Sequence, residues 1–172
     1  IIMTFSILGR CMVTGQFGMA VSSSSPAVAA RCAHARAGVG AVASQNVTDP
    51  RLGPYVLDAM ENGMDADAAV ASVIAAASHT AFRQLLAIDH AGRTAIFSGT
   101  KTLDINAEYQ SPNAAAAGNL QADCDASSVR LVSGSVCSPP PPGCSWSLFC
   151  APPLQGCDID CGGAEQLSSL RG

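Results

Sequence analysis

Aromatic side chains make up only 5% of these 172 residues and charged ones only 13%. A core must therefore be assembled from Ala, Val, Leu and Ile rather than from stacked rings. Nine Lys and Arg against thirteen Asp and Glu leave a net charge of −4 and no basic stripe. That argues against nucleic acid as a partner. No apolar run reaches the ~18 residues of a membrane span, and no charged-then-apolar leader precedes the first strand. A soluble cytoplasmic protein with no membrane partner is expected. Metal-ligand spacing is also lacking: no Cys-x-x-Cys pair occurs and no His follows Cys124, so the usual zinc arrangements are not met. No metal site and no organic cofactor are expected.

What is present divides the chain in two. Cys11 and Cys32 are isolated, whereas Cys124, Cys137, Cys144, Cys150, Cys157 and Cys161 all follow Asp123. The same segment carries Pro139 to Pro142 in a row. Proline fixes φ and removes a donor, so that run sits in neither a helix nor a sheet. The reading is a domain over residues 4–122 and an atypical Cys/Pro-rich tail over residues 123–172. The tail is open to several accounts: a frame-shifted continuation, a disordered partner-binding segment, or a secreted disulfide module.

Within the first part the patterns are locally consistent. Phe5 to Cys11 and Phe17 to Ser23 read as strands joined through Thr14-Gly15. Ser25 and Pro26 open a helix that runs to Ala35 or Arg36 and stops at Gly38. Gly40 to Gln45 reads as a third strand. Pro54 opens a second helix with Val56, Leu57 and Met60 on one face and Asn62-Gly63 as its stop. Asp65 caps a third helix, in which Ala69, Val70, Val73, Ile74 and Ala77 recur at helical spacing. Gln84 to Asp89 and Thr94 to Ser98 form a hairpin, and Ala114 to Leu120 supplies a last strand. Strands and helices in separate blocks indicate an α+β fold of antiparallel sheet layered with helix.

Thr4 directly follows Met3, a usable start. If Met3 is removed, Thr4 carries a free α-amine beside its own hydroxyl. Such an amine, with a pKa near ~8, can take the hydroxyl proton within one residue. Alternatively, Thr4 is an ordinary first-strand residue. Cys11 is the rival nucleophile. His34, His79 and His90 show no metal or Ser-His-Asp logic, and Asp89 reads as turn chemistry.

The segments TFSI (Thr4 to Ile7), TGQFGMAVSSSSPAVAARCAHARAGVGAVASQNVTDPRLGP (Thr14 to Pro54), LLAIDHAGRTAIFSG (Leu85 to Gly99) and AGNL (Ala117 to Leu120) resemble the DUF1028 family. That family is assigned to the N-terminal nucleophile (Ntn) hydrolase superfamily. The resemblance implies a four-layer α-β-β-α sandwich of two facing antiparallel sheets, and an N-terminal Thr4 that hydrolyses an amide through an acyl-enzyme. The chain departs from the pattern at Cys11, where the family has an acidic residue. It departs again after Leu120, where the family's Gly-Gly-Asp/Glu and Gln-Ser-Ala stretch is missing, so the sandwich reads as incomplete at its C-terminus.

The catalytic candidates are Thr4, Ser23, Asn119 and Gln45. Ser23 matches the serine of the family's Ala-Val-x-Ser pattern and ends the strand beside Thr4. Gln45 and Asn119 end strands and offer amide hydrogens to a developing oxyanion. Gly38 and Gly40, which permit close backbone approach, and Asn46 are the substrate-binding candidates. Each also has a plain structural reading as a turn, cap or helix-stop residue. The expected partner is a small-molecule or peptide-like amide substrate, with a homo-oligomer open. The alternatives are a non-catalytic Ntn-like binding or scaffold protein and a defective, truncated family member.

Overall fold

Short-period alternation in Thr4–Arg10 (β1) and Phe17–Ser23 (β2) builds an antiparallel hairpin with Thr4 opposite Ser23 and Arg10 opposite Phe17. The computed structural model describes residues 3–103, 105–120 and 145–150. Ala107–Ser111 (β7) and Ala114–Asn119 (β8) extend this sheet on the β1 side, and Ser145–Cys150 (β9) adds to β2. Ala33–Arg36 (β3), Gly40–Asn46 (β4), Arg83–Asp89 (β5) and Thr94–Ser98 (β6) form the second sheet, in that order. Every pairing in both sheets is antiparallel.

Strand parity assigns the layers. Leu8, Met19, Val21, Ala115 and Ala117 from the first sheet pack against Ala41, Ala43, Leu86 and Ile88 from the second. The intervening residues of the second sheet, Val42, Leu85, Ala87 and Ala95, turn the other way. They meet Leu52–Glu61 (α2) and Ala66–Ala76 (α3) through Val56, Leu57, Met60, Ala69 and Val70. The small side chains that replace aromatics still bury well: each buried Val, Leu or Ile contributes roughly 1.5–3 kcal/mol. The result is an α+β fold of two antiparallel sheets with α2 and α3 on one outer face. Among the described residues, no helix is long and apolar enough to cross a membrane.

Three elements differ from the expectations. The helix expected from Ser25 to Ala35 or Arg36 is only the single turn Ala29–Cys32 (α1); the chain then becomes β3. Ala33 and Ala35 pack toward the inter-sheet core, while Arg36 bonds Asp58 and Glu61 of α2 at 2.8 and 2.5 Å. An alanine-rich run suits either period, and pairing along β4 decided it. Gly38, read as a helix stop, takes φ +74° in the β3–β4 turn instead. The strand β7 had no periodic signal and is specified by pairing with β8, through a turn in which Asn113 has φ +65°. The third is β9, which arises within the Cys/Pro-rich segment. The remainder of residues 121–172, and the disulfide alternative with it, lies outside the described residues. The cap at Asp65 is as expected, its side chain accepting from the Ala68 N–H at 2.8 Å.

Asp89 does more than turn the β5–β6 hairpin. Fully buried, its Oδ1 accepts from the N–H groups of Ala91 and Arg93 at 2.9 and 3.0 Å. Its Oδ2 accepts from Ala66 N–H at 3.2 Å and Arg93 Nε at 2.7 Å. One carboxylate thereby ties the hairpin to the first turn of α3. Burial pushes its pKa up, but the Arg93 side chain and these backbone donors outweigh burial and hold it below the ordinary value. The stability gained is therefore present above the unfolded-state pKa of about 4 and is lost as pH falls through the lower folded value. Asp89→Asn turns an N–H toward these donors and should cost about 2 kcal/mol at pH 7. In urea titrations the gap between wild type and variant should narrow at acid pH; a gap independent of pH would refute this account.

Gly40 is required by packing. A Cβ there would collide with the carbonyl of Ile88 and with Met60 Cε. Because one obstacle is backbone of the central strand, Gly40→Ala should destabilise by about 1–3 kcal/mol, read as a lower urea midpoint at unchanged slope.

Candidate functional site

Between the sheets, the inward-facing positions change from apolar to polar toward one end. Beyond Leu8, Val21, Ala43, Leu86 and Ala117 come Ser6 and Thr4, then Ser23, Gln45, Gln84 and Asn119. Thr4 is paired in register with Ser23 on one side and Asn119 on the other. Three candidates from distant parts of the sequence thus share one face of one sheet. Thr4 Oγ1 and Ser23 Oγ lie 3.0 Å apart, and Ser23 Oγ also accepts the Ser25 N–H at 3.1 Å.

Gln45 reaches the same end from the facing sheet, but its role differs from the expected one. Its Nε2 donates to Gln84 Oε1 at 2.7 Å and to the Ala117 carbonyl at 3.0 Å. Its Oε1 accepts from Ser6 Oγ at 2.5 Å. Both amide hydrogens are committed within the protein, so Gln45 is not an oxyanion donor; it bridges the sheets. Gln84 continues the chain. Its Nε2 donates to Ser98 Oγ at 2.9 Å and toward the Gly118 carbonyl at 3.4 Å, and its Oε1 also accepts from Asn119 Nδ2 at 3.0 Å. Backbone carbonyls only accept, so Ala117 and Gly118 fix which end of each glutamine carries nitrogen. That choice in turn requires Asn119 to present its nitrogen to Gln84.

Sequence reasoning did not single out Ser6, Gln84 or Ser98. A signal existed: Gln84 occupies the same strand face as Leu86 and Ile88, where an unpartnered amide would be costly.

The glycines are not part of this group. Gly38 and Gly40 are at the opposite end of β4, Gly40 being five residues from Gln45, or about 17 Å along an extended strand. Asn46 is adjacent but turns the other way. With φ +73°, it donates to the Phe82 carbonyl at 2.6 Å and accepts from Leu103 N–H at 3.2 Å. The Leu103 carbonyl in turn accepts the Leu120 N–H at 3.1 Å. Asn46 thus straps the 99–103 loop beside the end of β8, and supports the site from behind. Cys11 is at the far end of β1, seven residues or about 23 Å from Thr4, and does not join the group. His34 packs against α2, where burial pushes its imidazole below the ordinary value.

A separate open cleft of about 360 Å³ lies between α2 and α3, lined by Asp49, Arg51, Tyr55, Ser72 and Val73 among others. None of the polar inter-sheet residues lines it. Arg51 bonds Asp49 through Nε at 3.0 Å and Nη2 at 2.8 Å, which holds the carboxyl down to about 2. Among the described residues, no three of His, Cys, Asp and Glu converge as metal ligands would.

The model of the family of unknown function DUF1028 matches residues 4–129. A solved structure, protein SPO2555 from Silicibacter pomeroyi, also assigned to DUF1028, is similar to this chain at 32% identity and a TM-score of 0.68. The similarity covers 70% of this chain and 54% of that one, so the chain spans about half the length of its solved relative. No curated protein matches. The family match takes in β1 through β8, including Thr4, Ser23, Gln45, Gln84 and Asn119, and the chain belongs to the DUF1028 family.

Proposed function

We propose that the protein is an amidohydrolase of the N-terminal nucleophile type, with Thr4 as its nucleophile and a small amide or peptide-like compound as substrate. The observation that carries this reading is the position of Thr4. It starts a central strand, with a hydroxyl partner at 3.0 Å on Ser23 and an amide in register on Asn119. On this reading the two facing sheets and their helical layer are the described part of a four-layer α-β-β-α sandwich.

The chemistry follows from the residues. Thr4 Oγ1 attacks the substrate carbonyl while the Thr4 α-amine takes the hydroxyl proton. Collapse of the tetrahedral intermediate breaks the C–N bond, and the amine returns the proton to the leaving nitrogen. Water then hydrolyses the ester on Thr4 by the same route in reverse. Ser23, fixed by the Ser25 N–H, holds the Thr4 side chain in one rotamer. Gln45, whose amide hydrogens both bond within the protein, offers none to the oxyanion.

The mechanism needs the Met3–Thr4 bond cut. In the intact chain the Thr4 nitrogen is acylated, and the Met3 carbonyl accepts from the Ser24 N–H at 3.4 Å. That observation favours the second reading, a non-catalytic binding or scaffold protein, for any form that retains Met3.

The two separate cleanly by mass. Protein beginning at Thr4 should gain one adduct from a β-lactone, mapped to Thr4. Thr4→Ser should retain labelling, and Thr4→Ala should lose it with the fold intact. An unlabelled wild type, or equal labelling of Thr4→Ala, would eliminate the hydrolase reading.

A further inference from the structure

We infer that Lys101 takes a carboxylate on the acyl part of the substrate, which makes that substrate the half-amide of a short dicarboxylic acid; this rests on the hydrolase reading above. The first observation is charge. The chain as a whole carries −4, and Lys101 is its only lysine. The polar group around Thr4 is neutral, built of Ser, Gln and Asn side chains. Lys101 is exposed, with its Nζ over the Phe82 ring at 5.1 Å from the centroid. Among the described residues no carboxylate pairs with it.

Register puts this ammonium at the mouth of the Thr4 site. Ser6 of β1 bonds Gln45 of β4 across the sheets, and Gln45 is in register with Gln84 of β5. Two residues further toward the polar end come Thr4 on β1, Val47 after β4 and Phe82 before β5. Val47 and Phe82 are still joined there: the Phe82 carbonyl accepts from Val47 N–H at 3.3 Å and from Asn46 Nδ2 at 2.6 Å. Thr4 and Phe82 are therefore opposite lips of one opening, on sheets about 10 Å apart, and a short acyl chain bonded to Thr4 spans it. The loop that carries Lys101 is fixed to the same lip. Lys101 N–H donates to the Ala81 carbonyl at 2.7 Å, and Gly99 N–H to the Arg83 carbonyl at 2.8 Å.

Arg83 adds a second positive charge behind this lip. Nine-tenths buried, it donates from Nη1 to the Val47 carbonyl, and its Nε has no partner among the described residues. Asp49, whose carboxyl feels that charge, is bonded through both oxygens by Arg51. An anchor on the acyl part suits the reaction. That part stays bonded to Thr4 while the amine leaves, and its carbonyl must then be held in place for water.

The test compares two β-lactones on full-length protein beginning at Thr4: one with a short side chain ending in a carboxylate, the other its methyl ester. The readout is the ratio of their Thr4 acylation rates in wild type, Lys101→Met, Lys101→Arg and Arg36→Met. Both methionine variants remove one positive charge, but Arg36 is paired with Gly40 at the far end of the sandwich. Wild type should prefer the carboxylate by about tenfold at low salt, Lys101→Met should lose that preference, and Lys101→Arg should keep most of it. Arg36→Met should behave as wild type. Added salt should erode the wild-type preference. An equal ratio in wild type and Lys101→Met, or a matching loss in Arg36→Met, would overturn the assignment and leave the hydrolase reading standing. A wild type acylated by neither lactone removes the hydrolase reading and this inference together.

Discussion

The bond between Gln45 and Gln84, register partners on β4 and β5, couples the hydrogen bonds that tie the two sheets together at the polar end of this molecule. Two sheets that meet through small aliphatic side chains have no intrinsic reason to adopt one register, since apolar contact is non-directional. The glutamine bridge supplies direction. Its polarity starts from the carbonyls of Ala117 and Gly118, which can only accept, and passes through both glutamines to Ser6, Ser98 and Asn119. A buried network of this kind is stabilising only when every member is satisfied. Sliding one sheet past the other would strand several amides at once, so the alignment of Thr4 with its surroundings and the alignment of the sheets are the same constraint.

A second polar tie, Asp89, does the corresponding work on the helical side, with an important difference. It is ionised, with Arg93 and three backbone donors as its partners, and it anchors α3 rather than the opposite sheet. The bridge near Thr4 is built from neutral amides and hydroxyls. A neutral network adds direction to the inter-sheet contact without placing a fixed charge in it. Asn46, strapping the 99–103 loop behind the site, adds rigidity without entering it.

Much of the fold was legible. The strands β1, β2, β4, β5 and β6 read as short apolar segments bounded by turn signals, and α2 and α3 carry helical spacing with a working Asp65 cap. Failures came where local pattern is silent or double. The run from Ala29 to Arg36 is alanine-rich and suits helix or strand; the open edge of β4 settled it. At β7 there is no alternation to read, and β8 imposes the conformation. The site was partly legible: Thr4 was singled out as the residue behind Met3, Ser23 and Asn119 as strand-end residues, and register brings them together. Gly38 and Gly40 were singled out for the same freedom that a hairpin turn and a close strand packing require.

The sequence alone determined the α+β class, the aliphatic core, the Asp65 cap, the β1–β2 and β5–β6 hairpins, and the presence of polar residues at several strand ends, because each of these follows from neighbours within a few positions. Tertiary structure alone decided which strand ends meet. It placed Gln84 opposite Gln45, gave Gln45 a bridging rather than a donor role, and moved Gly40 to the far end of the sandwich. Those outcomes depend on sheet register and on the polarity of backbone carbonyls some 70 residues away, the Gln45–Ala117 bond spanning 72 positions. No local pattern carries that information.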